Sequence, residues 1–370
     1  MAASSNTPML ELQQLQKYFP VRQTLFEVLR RARPKVIKAV DGVTLMLAKG
    51  EVLALVGESG CGKTTIAKTL IGLEEQTSGE ILFDGKIVGT PERRRRAGLV
   101  ALESGKPLTR EMIDFPRVSM KRLRQQAQMV FQDPYESLNP RSTIFDIVAE
   151  PLVVHGIARQ RQERIARVQS ALQDAGLHPA EDFFLRYPHE LSGGQRQRVV
   201  IAGAMVLQPE LIIADEPVSM LDVSIRADIL NLLRELRRTR GISILFITHD
   251  LGTVSYFADR IAVMYLGRIV EIGPTREVLD NPQHPYTKAL LSVVPVPNPR
   301  LRRERIILQG ETPNPLDVPT GCRFHPRCPV AIDRCKTIDP PYLEVGPGHQ
   351  AACLLVQGLA TNPHRINGLA

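Results

Sequence analysis

Gly57-Glu58-Ser59-Gly60-Cys61-Gly62-Lys63-Thr64 decides the fold of this chain. The run fits G-x-x-x-x-G-K-[ST], in which glycines let successive backbone N–H groups curl around phosphate oxygens with no side chain in the way, while the lysine adds a point charge. The pattern carries weight only between a strand and a helix. Glu51-Val52-Leu53-Ala54-Leu55-Val56 ahead of it reads as a short buried strand, and Thr64 to Leu70 reads as the start of a helix. An α/β architecture with a nucleotide-phosphate cradle follows. Its candidate contacts are Gly57, Ser59, Gly60, Gly62, Lys63, Thr64 and Thr65.

Downstream, the four apolar residues Leu211-Ile212-Ile213-Ala214 run into Asp215-Glu216, the pattern of a buried parallel strand that delivers two carboxylates at its C-terminal end. Asp215 is expected to hold Mg²⁺ together with the Thr64 hydroxyl, and Glu216 to polarise the attacking water. Between the two motifs, Leu191-Ser192-Gly193-Gly194-Gln195 has the form S-x-x-Q of a capping box, placing Ser192 at the N-cap of a helix. With glycines baring the backbone, that helix start is a second anion site. One chain already has its phosphate cradle, so the second site is expected to serve the ATP of a second ATPase subunit.

These motifs resemble those of the ATP-binding subunits of ABC transporters, and the resemblance covers nearly the whole chain. It implies an α/β P-loop NTPase (RecA-like) core with an antiparallel β subdomain and a helical subdomain. Gln132, in Val130-Phe131-Gln132-Asp133-Pro134, is similar to the Q-loop glutamine, which in the family touches metal and water and sits at the membrane-subunit contact. Ser219-Met220-Leu221-Asp222 is similar to the D-loop, with methionine where alanine is usual. His249, in Ile247-Thr248-His249-Asp250, matches the switch histidine that senses the γ-phosphate. The aromatic that stacks on adenine falls in Lys17-Tyr18-Phe19-Pro20, with Phe19 the better placed by eye and Tyr18 the alternative.

The resemblance implies ATP and Mg²⁺ (through Thr64, Gln132 and Asp215) as ligands, a homologous or identical second ATPase subunit, two membrane permease subunits and, indirectly, an extracytoplasmic solute-binding protein. It places the chain peripherally on the cytoplasmic face of a bacterial inner membrane.

The chain's 370 residues suit one ATPase core with an appendage. The longest apolar runs, such as Val52 to Val56 and Leu290 to Val296, fall far short of the roughly 20 residues needed to span a bilayer. A net charge of +8 from 47 basic and 39 acidic residues raises the possibility of nucleic acid. Much of that charge sits in local clusters at Arg93 to Arg96, Lys121 to Arg124 and Arg302-Arg303, which read as solvated surface, and no nucleic-acid partner is expected. A nucleic-acid repair ATPase of the same superfamily is the alternative function, but it requires DNA-binding insertions or long coiled coils, and no sustained heptads are visible.

The core is read as residues 9–280. It includes a basic insertion at 20–36, a second insertion at about 89–118 and a helical subdomain at about 132–195, with βα alternation completing the sheet by about 280. Residues 281–370 form a C-terminal extension. It opens with Asn281-Pro282-Gln283-His284-Pro285-Tyr286-Thr287-Lys288-Ala289-Leu290-Leu291, similar to the segment that begins the extension of peptide and nickel importer ATPases. That similarity points to import of di- or oligopeptides.

The extension also carries Cys322, Cys328, Cys335 and Cys353, in a proline-rich stretch with little capacity for a core of its own. A reducing compartment argues against disulfides, and the spacing lacks the close C-x₂₋₄-C pair common in zinc sites, leaving an iron–sulfur cluster, zinc and free thiols open. The resemblance to oligopeptide and dipeptide importer subunits, some with a [4Fe-4S] cluster on this extension, favours the cluster. His325 and His349 flank the cysteines as surface or supporting residues, and Cys61 reads as a small tolerated residue in the phosphate loop.

Overall fold

The computed structural model of the chain describes residues 7–21, 35–88, 117–294 and 305–356. Most of the two expected insertions, with Arg93 to Arg96 and Arg302-Arg303, lies outside the described residues.

Two sheets organise the molecule. The first joins β1 (Leu10–Pro20), β2 (Val36–Leu47), β4 (Ser78–Phe83), β5 (Lys86–Val88) and β6 (Arg117–Val118) in the order β2-β1-β4-β5-β6. Its period-two pattern turns Leu10, Leu12, Leu45, Leu47, Ile81 and Phe83 into the core. At the end of the second expected insertion, Arg117 and Val118 pair in parallel with Ile87 and Val88.

The second sheet adds β3 (Val52–Val56), β7 (Ala127–Val130), β8 (Leu211–Asp215), β9 (Ser243–Thr248), β10 (Arg260–Tyr265), β11 (Arg268–Pro274), β12 (Leu343–Gly346) and β13 (His349–Ala351), ordered β12-β13-β11-β10-β3-β9-β8-β7. Its central strands are parallel, and β3, β8 and β9 are buried along their whole length. Continuous apolar runs are what a sheet covered on both faces requires.

The sheet does not close by residue 280 as expected. Strand β13 of the extension pairs with β11 through Glu271–Ala351 and Ile272–Gln350, so the extension supplies two strands of the core sheet.

Helices follow the parallel strands. The phosphate loop leads from β3 into α1 (Lys63–Leu70). Helix α2 (Met120–Gln126) precedes β7, and there Arg124 is not merely solvated. It donates to the carbonyls of Ile71 (3.1 Å) and Gly72 (3.0 Å), tying down the end of α1.

A helical subdomain follows β7, with α3 (Pro134–Ser137), α4 (Ile144–His155), α5 (Arg161–Asp174) and α6 (Gly193–Met205) around their own core of Val148, Leu152, Val168, Leu172 and Val199. Helix α4 is bounded by a Thr143 cap and a left-handed Gly156. Helices α7 (Val223–Arg240), α8 (Leu251–Phe257), α9 (Thr275–Asp280) and α10 (Pro285–Ser292) complete the described fold.

Three buried contacts weld the extension to the core. Glu271, fully buried on β11, accepts hydrogen bonds from Gln283 N (2.7 Å) and His284 N (2.9 Å) and pairs with His349 Nε2 at 2.8 Å. His349 is thus a buried strut on β13 rather than a surface residue. Tyr265, Tyr286 and Phe324 pack as an aromatic trio with ring centres 4.7–5.3 Å apart. Arg323 pairs with Asp41, which also accepts from Tyr18.

Candidate nucleotide site

The phosphate loop closes on itself. Lys63 Nζ donates to the carbonyls of Gly57 (2.7 Å) and Glu58 (2.9 Å). Gly62 sits at φ +110°, and a Cβ there would come within 2.1 Å of the Ala39 carbonyl oxygen, so only glycine fits. Cys61 is buried beside Lys63 (3.8 Å), and burial pushes its thiol pKa up.

At the end of β8, Asp215 accepts from Thr64 Oγ1 at 3.3 Å. Its carboxyl is pushed above the ordinary range, first by burial and further by neighbouring Glu216, with Thr64 and Lys63 opposing. Such a carboxylate gains from a cation beside it. Glu216 stands in the left-handed region at φ +47°, a strained posture for a residue with a side chain. There Gln132 Nε2 donates to one carboxylate oxygen at 3.2 Å, and His249 Nδ1 lies 3.0 Å from the other. Residues brought in by β7, β8 and β9 thus meet at one point.

A cleft of about 510 Å³ joins these groups, lined by Ser59, Gly60, Gly62, Lys63, Thr64, Thr65, Gln132, Glu216 and His249. Gly57 lies behind the loop, its Cα against the Met264 carbonyl. Sequence reasoning missed Ile37, Lys38 and Ala39 on β2, Leu266 and Gly267 in the β10–β11 turn, and Pro315 of the extension, all of which line the same cleft. No local motif marks them.

Phe19 is not among the lining residues. Its ring lies under Lys17 Nζ (4.6 Å), and its cross-strand partner Ile37 reaches the cleft. Tyr18 is occupied with Asp41, and burial with that carboxylate pushes its phenol pKa up to about 12.

The capping box forms as expected. Ser192 Oγ accepts from Gln195 N at 3.3 Å, and Gln195 Oε1 accepts from Ser192 N at 3.0 Å. A Cβ on Gly194 would stand 2.7 Å from Ile225 Cγ2, so the second glycine lets α6 approach α7. Ser192 is exposed, and neither it nor Gly193, Gly194 or Gln195 lines this chain's own cleft. Asp222 opens α7 without a side-chain cap, next to exposed Met220.

The pattern described as "ABC transporter" matches residues 40–219, and that described as "Oligopeptide/dipeptide transporter, C-terminal region" matches residues 270–335. The chain is 47% identical over 357 residues to the oligopeptide transport ATP-binding protein AppF of Bacillus subtilis, covering 96% of this chain and 99% of that one. The chain belongs to the ABC transporter family of ATP-binding proteins.

A further relative of this ABC ATP-binding protein is the dipeptide transport ATP-binding protein DppF of Haemophilus influenzae, 44% identical over 94% of this chain and 97% of that one. The fold of the present chain matches the ATP-binding cassette MJ0796, solved as a dimer in a post-hydrolysis state bound to ADP and Pi. The TM-score is 0.55 at 27% identity, over 72% of this chain and 99% of that one. Like its family, this ABC protein is an ATPase. ATP and Mg²⁺ are the ordinary ligands of ABC ATPases, and the ATPases of peptide importers operate as dimers with membrane permease components.

The matched C-terminal region contains Cys322, Cys328 and Cys335 and ends before Cys353. The four thiols lie near enough to perturb one another, and all are free. Burial pushes Cys322 up to about 11 and raises Cys328 and Cys353. The backbone N–H two residues on is turned to the sulfur in each of these three, from Phe324, Val330 and Leu355. Among the described residues, no group of three or more His, Cys, Asp or Glu side chains is arranged to hold a metal ion. His325 Nδ1 lies 2.9 Å from the Cys322 carbonyl oxygen, turned to the backbone.

Proposed function

We propose that this chain powers the import of di- or oligopeptides by closing on ATP with a second ATPase subunit and reopening on hydrolysis. One observation carries the reading: Gln132 and His249 converge on the Glu216 carboxylate in the same cleft as Lys63 and the Thr64–Asp215 pair. In this role Glu216 takes a proton from the attacking water, Gln132 and His249 hold its carboxylate in place, and His249 faces the γ-phosphate. Lys63 and the loop N–H groups bind the β and γ phosphates. Mg²⁺ held by Thr64, Asp215 and Gln132 supplies charge neutralisation at those phosphates. Phe19 stands at the edge of the β1–β2 ribbon beside the cleft and contacts the adenine from there.

The exposed N-terminus of α6, with Ser192, Gly193, Gly194 and Gln195, serves the partner's ATP, and Asp222 lies at the dimer contact. Beside Gln132 is an open cleft lined by Leu73, Phe131, Pro151 and Val154, with Phe131 and Val154 exposed. This largely apolar face, with Arg124, Gln128, Glu150 and His155 also in its lining, supports docking of a membrane permease subunit; no helix among the described residues is long and apolar enough to cross a membrane. The working position is then the cytoplasmic face of the membrane, with a solute-binding protein reached only through the permeases. The homology of AppF and DppF, named for oligopeptide and dipeptide transport, supports the peptide class.

We further propose that Cys322, Cys328, Cys335 and Cys353 hold a [4Fe-4S] cluster, which keeps its thiolates farther apart than one zinc ion does. The N–H groups aimed at three sulfurs fit thiolate ligands, which would form as the thiols release their protons on metal loading.

The transport reading is tested by placing Lys63→Ala at the native locus. Uptake of labelled di- and tetrapeptides is lost while free amino acid uptake continues; undiminished peptide uptake rejects it.

A further inference from the structure

Glu58 is the second residue of the phosphate loop, a position the loop pattern leaves open to any residue. In this chain each of its polar groups is engaged. Its carbonyl accepts from Lys63 Nζ (2.9 Å). Its N–H donates to Tyr286 Oη (2.9 Å). Its carboxylate accepts from both terminal nitrogens of Arg327 (2.8 and 3.2 Å) and from Thr312 Oγ1 (2.7 Å). Tyr286, Thr312 and Arg327 all belong to the C-terminal extension, and so does Pro315, which lines the nucleotide cleft together with Ile37, Lys38 and Ala39.

We infer that the C-terminal extension is part of the nucleotide site of its own chain, with Arg327 a positioning residue that neutralises and holds Glu58 beneath the phosphates while Pro315 walls the cleft. The electrostatics require such a partner. A carboxylate beside the place where a triphosphate binds repels it unless a cation stands against it, and a two-nitrogen arginine fork is the geometry that pairs it best. Arg327 is itself fixed, side chain about 10% exposed, with its guanidinium 5.9 Å from the Tyr265 ring and within 3.5 Å of that residue's hydroxyl. Tyr286 is fully buried between Tyr265 and Phe324, so its hydroxyl is a rigid post for the Glu58 N–H. Contacts therefore run unbroken from Arg327 through Glu58 to Lys63. By linkage, what the extension does for ATP affinity, ATP must do for the extension. The coupling rests on ATP binding at the P-loop and is independent of what the cysteines hold.

The test uses the full-length chain with a fluorescent ATP analogue for affinity and steady-state phosphate release for turnover. Arg327→Gln leaves the Glu58 carboxylate uncompensated and raises both Kd and KM for ATP by about fivefold or more, at the lower end of coupling between sites, with kcat within about twofold. The pair Glu58→Gln and Arg327→Gln removes the stranded charge and recovers most of that loss, which a merely structural role for Arg327 does not predict. In the unaltered protein, MgATP slows amide exchange over residues 308–317 and 325–328. Affinity in Arg327→Gln within twofold of wild type, a double variant no better than the single one, or exchange over those segments indifferent to MgATP overturns the inference.

Discussion

Glu271→Ala tests how the extension is held. The Glu271 carboxyl is fully buried and serves three donors: Gln283 N at 2.7 Å, His284 N at 2.9 Å and His349 Nε2 at 2.8 Å. Truncation orphans two backbone N–H groups and a histidine nitrogen, each worth about 1–3 kcal/mol when left buried and unpaired. With water entering the space to relieve part of the cost, the expected loss is roughly 3–6 kcal/mol. Glu271→Gln is the sharper probe. Its single oxygen can still serve His284 N, but the amide nitrogen then faces the Gln283 N–H, donor against donor, for a loss of about 1–3 kcal/mol.

Guanidinium unfolding followed by circular dichroism reads the stability. Limited trypsin digestion with mass spectrometry shows whether the extension is released first. An alanine variant within about 0.5 kcal/mol of wild type, or a glutamine variant as damaged as the alanine, refutes the three-donor account.

Two other outcomes follow from the extension. His284 is buried, and desolvation together with Lys288 lowers its pKa from 6.5 to about 3, so the fold demands the neutral ring. Protons bind the unfolded state more readily in that window, and stability present above pH 6.5 is lost as pH falls, by about 1.4 kcal/mol per unit, or roughly 2 kcal/mol by pH 5. His284→Asn, which keeps an N-cap acceptor for Tyr286 N, flattens the pH 7 to 5 slope by that amount; an unchanged slope removes His284 from the account. Anaerobic purification followed by iron, sulfide and zinc analysis yields about four irons per chain with a broad visible shoulder, as a [4Fe-4S] cluster requires. A colourless, iron-free protein withdraws the cluster and leaves the ATPase untouched.

What the sequence disclosed about the site follows from locality. Lys63 and Thr64, Asp215 and Glu216, and Ser192 to Gln195 each lie in one short run whose strand or helix context can be read in place, and the structure puts each where that context requires. The adenine-side aromatic resists such reading because β1 carries a register shift between Lys17 and Tyr18. One such irregularity exchanges the faces of the residues beyond it, so spacing cannot separate Tyr18 from Phe19, and neither lines the cleft.

Longer-range partnerships were illegible. Glu58 meets Arg327 across 269 positions, and Glu271 meets His349 across 78, and no motif links the two members of either pair. Strands β12 and β13 are four and three residues long, too brief for a period to show, which is why the sheet reads as complete before the extension begins.

Glu216→Gln tests the central claim most directly, because the amide keeps the side chain's shape, its oxygen able to accept from Gln132 and its nitrogen to donate to His249 Nδ1, while removing the base. Binding of a fluorescent ATP analogue and steady-state phosphate release are measured side by side on the same preparation. The account predicts ATP affinity at or above that of wild type, with turnover reduced at least about a hundredfold, the scale of a positioned general base. Turnover within a few-fold of wild type contradicts it and takes Glu216 out of the reaction.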